Sequence, residues 1–213
     1  MNEEVTFVES KRRTAVLRVA GALVAVVLVA ALAGTGTVAA QNLSLKAVRD
    51  PQNRFTIDVP ATWTVTTQAK NPAVEAKSAA PQAAGKAALL PDSLDVTVYD
   101  WKVPITAQQC ISESDLVLRY AIHTWTVVKE SPATIGGQPA YSRVYNWKAS
   151  NGEPRQSIET CVSHGSRVWV AVGTTDNTPA KVATTTPLLE RSIATLQPNV
   201  TNVPTEPATH KNN

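Results

Sequence analysis

The chain has 213 residues, enough for one ordinary domain with a sizeable core plus flanking segments, and its length does not demand two domains. Its formal charge is +3, but beyond residue 40 sixteen basic side chains meet fourteen acidic ones. So even a balance argues against a nucleic-acid partner and against recognition of a strongly anionic surface by charge alone.

The first forty residues read as an export or anchoring segment. A basic cluster, Lys11, Arg12, Arg13 and Arg18, precedes an uncharged stretch from Val19 to Ala40. Those 22 residues suffice to cross a hydrocarbon core of roughly 30 Å at about 1.5 Å per helical residue. Val38 and Ala40 also suit a small-residue cleavage site before Gln41, so a cleaved signal and a permanent anchor are both open. The basic flank predicts residues 1–18 on the cytoplasmic side and everything after the apolar run outside. Arg12-Arg13 matches a twin-arginine export signal only in part, and no cysteine follows the run to carry a lipid.

Residues 41–54 are polar and read as a linker, with the folded domain expected over 55–197. Phe55, Ile57 and Val59 alternate with Thr56 and Asp58, the period-two pattern of a strand with one buried face. Pro60 ends that strand because it has no amide hydrogen to donate, and Trp63 follows within reach of the apolar face. Residues 64–67 continue as a short second strand. From Gln68 to Pro91 the composition turns to Ala, Lys and Pro without a period, which predicts a loop excursion with one helical turn near residues 83–90. Strand character returns where Leu94, Val96 and Val98 alternate with polar partners.

Ser112 is the expected cap of a helix reaching Trp125, with Ile111, Leu118, Ile122 and Trp125 as its apolar stripe. A series of strands follows, punctuated by turns at Gly136-Gly137, Asn151-Gly152 and Ser163-His164-Gly165. This predicts an antiparallel meander of at least three strands. A closing helix is expected from a Thr186 cap and Pro187 at its first position, with Leu188, Leu189, Ile193 and Leu196 facing inward. Residues 198–213 read as a disordered tail.

Few residues suggest chemistry. Cys110 and Cys161 are the two cysteines, both on the exported side, which favours a disulfide; two buried thiols or a reactive cysteine are the alternatives. Cys161 and His164 have the composition of a thiol nucleophile and its base, but a strand followed by a turn points them apart. His123, His164 and His210 are scattered and lack metal-ligand spacing. Asp92, Asp95 and Asp100 lack the loop pattern of a calcium site and read as a solvated face. There is no Gly-x-Ser-x-Gly elbow and no phosphate-binding glycine loop. No catalytic residue, cofactor or metal site is therefore expected. Five tryptophans remain, and Tyr141, Tyr145 and Trp147 fall on one side of a strand with Arg143 among them. That stripe reads as core beneath a helix, with a ligand surface as the second reading.

The residues Phe55, Pro60 and Trp63 match an F-x-x-x-x-P-x-x-W first strand, and Gly137, Pro139, Ala140 and Tyr141 match a G-x-P-A-Y meander segment. On these motifs the chain resembles the PsbP-like fold family over residues 50–197, in the style of the LpqN-type actinobacterial envelope proteins. The resemblance implies an α+β fold, an α/β/α sandwich on a central antiparallel sheet with two main helices, and it implies no catalytic residues. It implies a binding or assembly protein, and with no convergent nucleophile, base or metal set the expected function is to bind another component of the bacterial envelope, an envelope protein or a lipid. The alternative is a lipid or sugar carrier, or a hydrolase, whose pocket is lined by Tyr141, Tyr145 and Trp147 with Arg143 and Glu159 at its mouth.

Overall fold

The computed structural model describes residues 44–80, 90–122 and 124–203. The expected membrane or signal segment, the helical turn near residues 83–90 except Leu90, and His123 and His210 lie outside the described residues. None of the described helices is long and apolar enough to cross a membrane.

Two antiparallel sheets carry the fold. The smaller joins β1 (Leu45–Arg49), β2 (Phe55–Pro60) and β10 (Gln197–Pro198), with β2 in the middle. The larger has seven strands in the order β3-β4-β5-β9-β8-β7-β6, made of β3 (Thr64–Thr67), β4 (Val74–Lys77), β5 (Ser93–Asp100), β6 (Trp125–Ile135), β7 (Gln138–Lys148), β8 (Pro154–His164) and β9 (Arg167–Asp176). Helix α1 (Ala107–Ala121) lies on one face over β7 and β8; helix α2 (Pro179–Ala194) lies on the other over β8 and β9, beside the small sheet. This is the expected α/β/α arrangement.

The core lies between the large sheet, α2 and the small sheet. Phe55, Ile57 and Val59 of β2, Leu94, Val96 and Val98 of β5, and Leu189, Ile193 and Leu196 bury there, and Trp63 packs among them. Trp169 is fully buried, and its indole N–H donates to the Arg54 carbonyl at 3.0 Å. Gly173 admits α2 closely, since a Cβ there would stand 3.0 Å from the Leu189 side chain. The meander β6 to β9 turns at the three predicted positions, where Gly136, Gly137, Gly152 and Gly165 adopt positive φ.

Six boundaries differ from the sequence reading. Residues 45–49 of the expected linker pair with β2, and Val74–Lys77 within the expected excursion pairs with β5. Both segments are too short to show a period. The cap of α1 is Thr106, not Ser112: its hydroxyl accepts from the Gln109 amide at 3.1 Å while the Gln109 side chain accepts from the Thr106 amide at 2.9 Å. Cys110 thus lies inside the helix, and Trp125 belongs to β6. Thr178 caps α2, with Pro179 in its first turn and Pro187 in its interior. Packing of Thr185, Leu188, Leu189, Ser192 and Ile193 outweighs the roughly 3 kcal/mol that an interior proline costs. The expected tail begins too early: the Asn199 amide donates to the Arg54 carbonyl at 2.8 Å, and Val200 and Val203 pack on the core.

Candidate functional site

The side-chain stripe expected on β7 forms as an alternating face under α1. Residues equidistant from Asn151 pair across the β7–β8 hairpin, setting Tyr141 opposite Cys161, Arg143 opposite Glu159, Tyr145 opposite Ser157 and Trp147 opposite Arg155. The structure therefore brings all four sequence-selected residues onto one sheet face, though not as an open surface. Arg143 is 1% exposed and Tyr145 4%, while Tyr141 and Trp147 are half-buried.

Arg143 is the hub. Its Nε and Nη2 donate to Glu159 Oε2 at 2.9 and 2.7 Å, its Nη2 also reaches Ser114 Oγ at 2.7 Å, and its Nη1 pairs with Asp115. Ser114 Oγ in turn donates to Glu159 Oε1 at 2.7 Å. The guanidinium lies 5.1 Å from the Trp125 ring centre and 5.4 Å from that of Tyr145, and those two rings meet edge to face at 5.8 Å. Burial opposes the Arg143 charge, but the Glu159 and Asp115 carboxylates outweigh it and raise its pKa. Burial and the Glu159 charge push the Tyr145 phenol up to about 12. A guanidinium so enclosed has no open position for a substrate; chemically it fastens α1 to the sheet.

One helical turn earlier the Cys110–Cys161 disulfide makes the same junction covalent, with Cα atoms 6.2 Å apart. Ala107, Ile111 and Val168 surround it. The partners that sequence reading did not assign are Ser114 and Asp115, which sit on the helix, and Trp125, which it placed there. The Asn151-Gly152 turn was the available signal for Arg143 facing Glu159, because a tight hairpin fixes the register around itself.

The remaining candidates separate. Cys161 is in the disulfide, and His164, exposed at the end of β8, has its Nδ1 2.8 Å from Gln138 Oε1. Asp92, Asp95 and Asp100 are not one solvated face. Asp92 is buried, accepts from Thr175 Oγ1 at 2.8 Å and pairs with Lys181 at 2.7 Å, joining β9 to the start of α2. Asp100 pairs with Arg167 at 2.6 Å. Asp95 faces Glu75 across β4–β5, and burial together with that like charge raises its pKa to about 6. No cluster of three metal-ligating side chains occurs among the described residues.

Recesses indent the surface formed by the described residues, two of them relevant here. One, of about 130 Å³, lies beside α2, with Ser131, Ala133, Val144 and Ile158 on its walls and Lys129 and Glu190 among its lining. The other is shallow and lies at Pro139, His164 and Ile105.

The architecture is that of the PsbP-like proteins, a class of α+β domains. The cyanobacterial PsbP of Synechocystis matches at a TM-score of 0.53 and 14% identity, covering 79% of this chain and 99% of that one. LpqN, involved in cell envelope biogenesis of Mycobacterium tuberculosis, matches at 0.49 and 15% identity, over 72% and 90% of the two chains. The Ran-binding protein Mog1p of Saccharomyces cerevisiae matches at 0.47 and 11%, over 73% and 95%. No protein-family model matches the chain, and no curated protein matches its sequence.

Proposed function

We propose that this chain is a non-enzymatic binding or assembly protein of the bacterial envelope, its domain held outside the cytoplasm by residues 19–40. The observation that carries the reading is the enclosure of Arg143: the stripe that offered a candidate ligand surface is spent on holding α1 down. A disulfide between the chain's two cysteines suits an oxidising compartment. The PsbP-like fold hosts the function without defining it.

The recess beside α2 favours a second reading, a carrier of a small apolar ligand, though its lining has no aromatic side chain. Cross-linking in intact cells followed by affinity capture separates the two. A protein recovered in fixed ratio with the chain supports the assembly reading. A lipid bound one-to-one, with no protein, overturns it in favour of the carrier.

A further inference from the structure

The Ser163-His164-Gly165 turn, which the sequence offers only as a link between two strands, lies against the first turn of α1. The Ile105 amide donates to the Gly165 carbonyl at 3.1 Å. Ile105, Thr106 and Ala107 line the shallow recess together with Pro139, Ser163 and His164. Ser163 follows Cys161 by two positions along β8 and so shares its sheet face, the one to which the disulfide fixes the start of α1.

Donors gather here without acceptors. Thr106 Oγ1 accepts from the Gln109 amide and the Thr106 carbonyl accepts from the Cys110 amide. The amides of Ala107 and Gln108, the first two of the helix, have no acceptor among the described residues. Ser163 is 6% exposed, and its hydroxyl has no partner among them either, although a hydroxyl at that depth is ordinarily hydrogen-bonded. The first turn of α1 carries no acidic side chain and none lines the recess, so the positive end of the helix dipole is not offset there. With His164 Nδ1 donating to Gln138 Oε1 at 2.8 Å, Nε2 is left for a ligand.

We propose that this recess binds a phosphate group. The Ala107 and Gln108 amides and the Ser163 hydroxyl donate to its oxygens, and the helix dipole favours its charge. His164 Nε2 accepts from a P–OH, or donates when the ring is protonated. A shallow recess suits a compact tetrahedral group rather than an extended ligand. The disulfide already fixes the start of α1, so the donors are held in place before the ligand arrives. Free phosphate and the phosphate of an ester, lipid headgroups included, share this chemistry. The site goes beyond the assembly reading and holds whichever partner the domain has.

The test is a titration of the isotope-labelled full chain, held in an uncharged, phosphate-free detergent and followed by its amide resonances. Inorganic phosphate at millimolar concentration should shift Ala107, Gln108 and Ser163 saturably and leave Ala180, at the start of α2, unmoved. Ala107→Pro removes one donor and keeps the helix, because proline is tolerated at the first helical position and Thr106 before it is already extended. It should weaken binding about tenfold, and Ser163→Ala several-fold. Ser163→Ala removes a single oxygen, so it keeps the test decisive should Ala107→Pro disturb the helix. Shifts that rise without saturating, or that chloride reproduces at equal ionic strength, overturn the proposal. Unchanged affinity in either variant that folds as the parent does also overturns it. Glycerophosphoglycerol distinguishes the source: affinity retained for this diester assigns the site to a lipid headgroup, and affinity confined to inorganic phosphate assigns it to the free ion.

Discussion

Glu159 is where a single change has the largest expected effect. Glu159→Ala leaves the Arg143 guanidinium buried with only the half-exposed Asp115 as counter-charge, and should cost about 3–5 kcal/mol in denaturant unfolding. The double replacement Arg143→Met, Glu159→Leu should recover most of that loss, because it removes both charges and keeps the volume; a double variant as unstable as the single would show that the pair is net stabilising. Asp95 sets a pH effect of opposite character. Its pKa of about 6 is raised above the ordinary 3.8, so the folded state holds the proton more tightly than the unfolded chain. Stability should therefore fall as pH rises from about 4 to above 6, by on the order of 1–2 kcal/mol given partial exposure. Asp95→Asn should flatten that slope and leave the variant more stable than the parent at pH 7.5, as measured by urea unfolding at both pH values.

Among the elements, α1 depends most on contacts other than apolar burial. Closing a loop with a sequence separation of 51 is worth roughly 4 kcal/mol in the chain-entropy description of disulfides. Cys110→Ser with Cys161→Ser should lose much of that stability, and amide exchange should rise in α1 before it rises in β8 or β9. Native protein should show no alkylatable thiol by mass spectrometry; two would end the disulfide assignment. Helix α2 is held differently, by close approach to the sheet. Gly173→Val should destabilise by about 1–3 kcal/mol or more, since even its Cβ meets Leu189 at 3.0–3.2 Å. Edge strand β6 carries its own protection against pairing with other chains, a bulge at Val128 and a proline at position 132.

At the scale of the whole molecule, the proposal of a membrane-tethered domain predicts that the protein stays with membranes through alkaline carbonate. A mature chain that begins at Gln41 and is recovered from the soluble fraction would show cleavage instead. Val117→Asp with Tyr120→Asp should leave folding intact in urea unfolding, because neither side chain contributes to the core.

Local chemistry alone determined much of this molecule: β2 from its alternation and the three meander turns from their glycines. Those features depend on neighbours within a few residues, so they are legible in one dimension. The helix starts were misplaced where local signals competed, Ser112 against Thr106 and Pro187 against Pro179, and the packing of Ile111 and of Leu188, Leu189 and Ile193 decided between them. Short strands β1 and β4 escaped because pairing partners, not their own patterns, create them. Only the tertiary structure could decide what Arg143 does. Its partners Ser114 and Asp115 come from a helix 28 to 29 residues away, and their approach excludes the water that would have made the arginine a surface charge. Burial turned a candidate ligand contact into a fastening, and it left the apolar side of α1 facing outward.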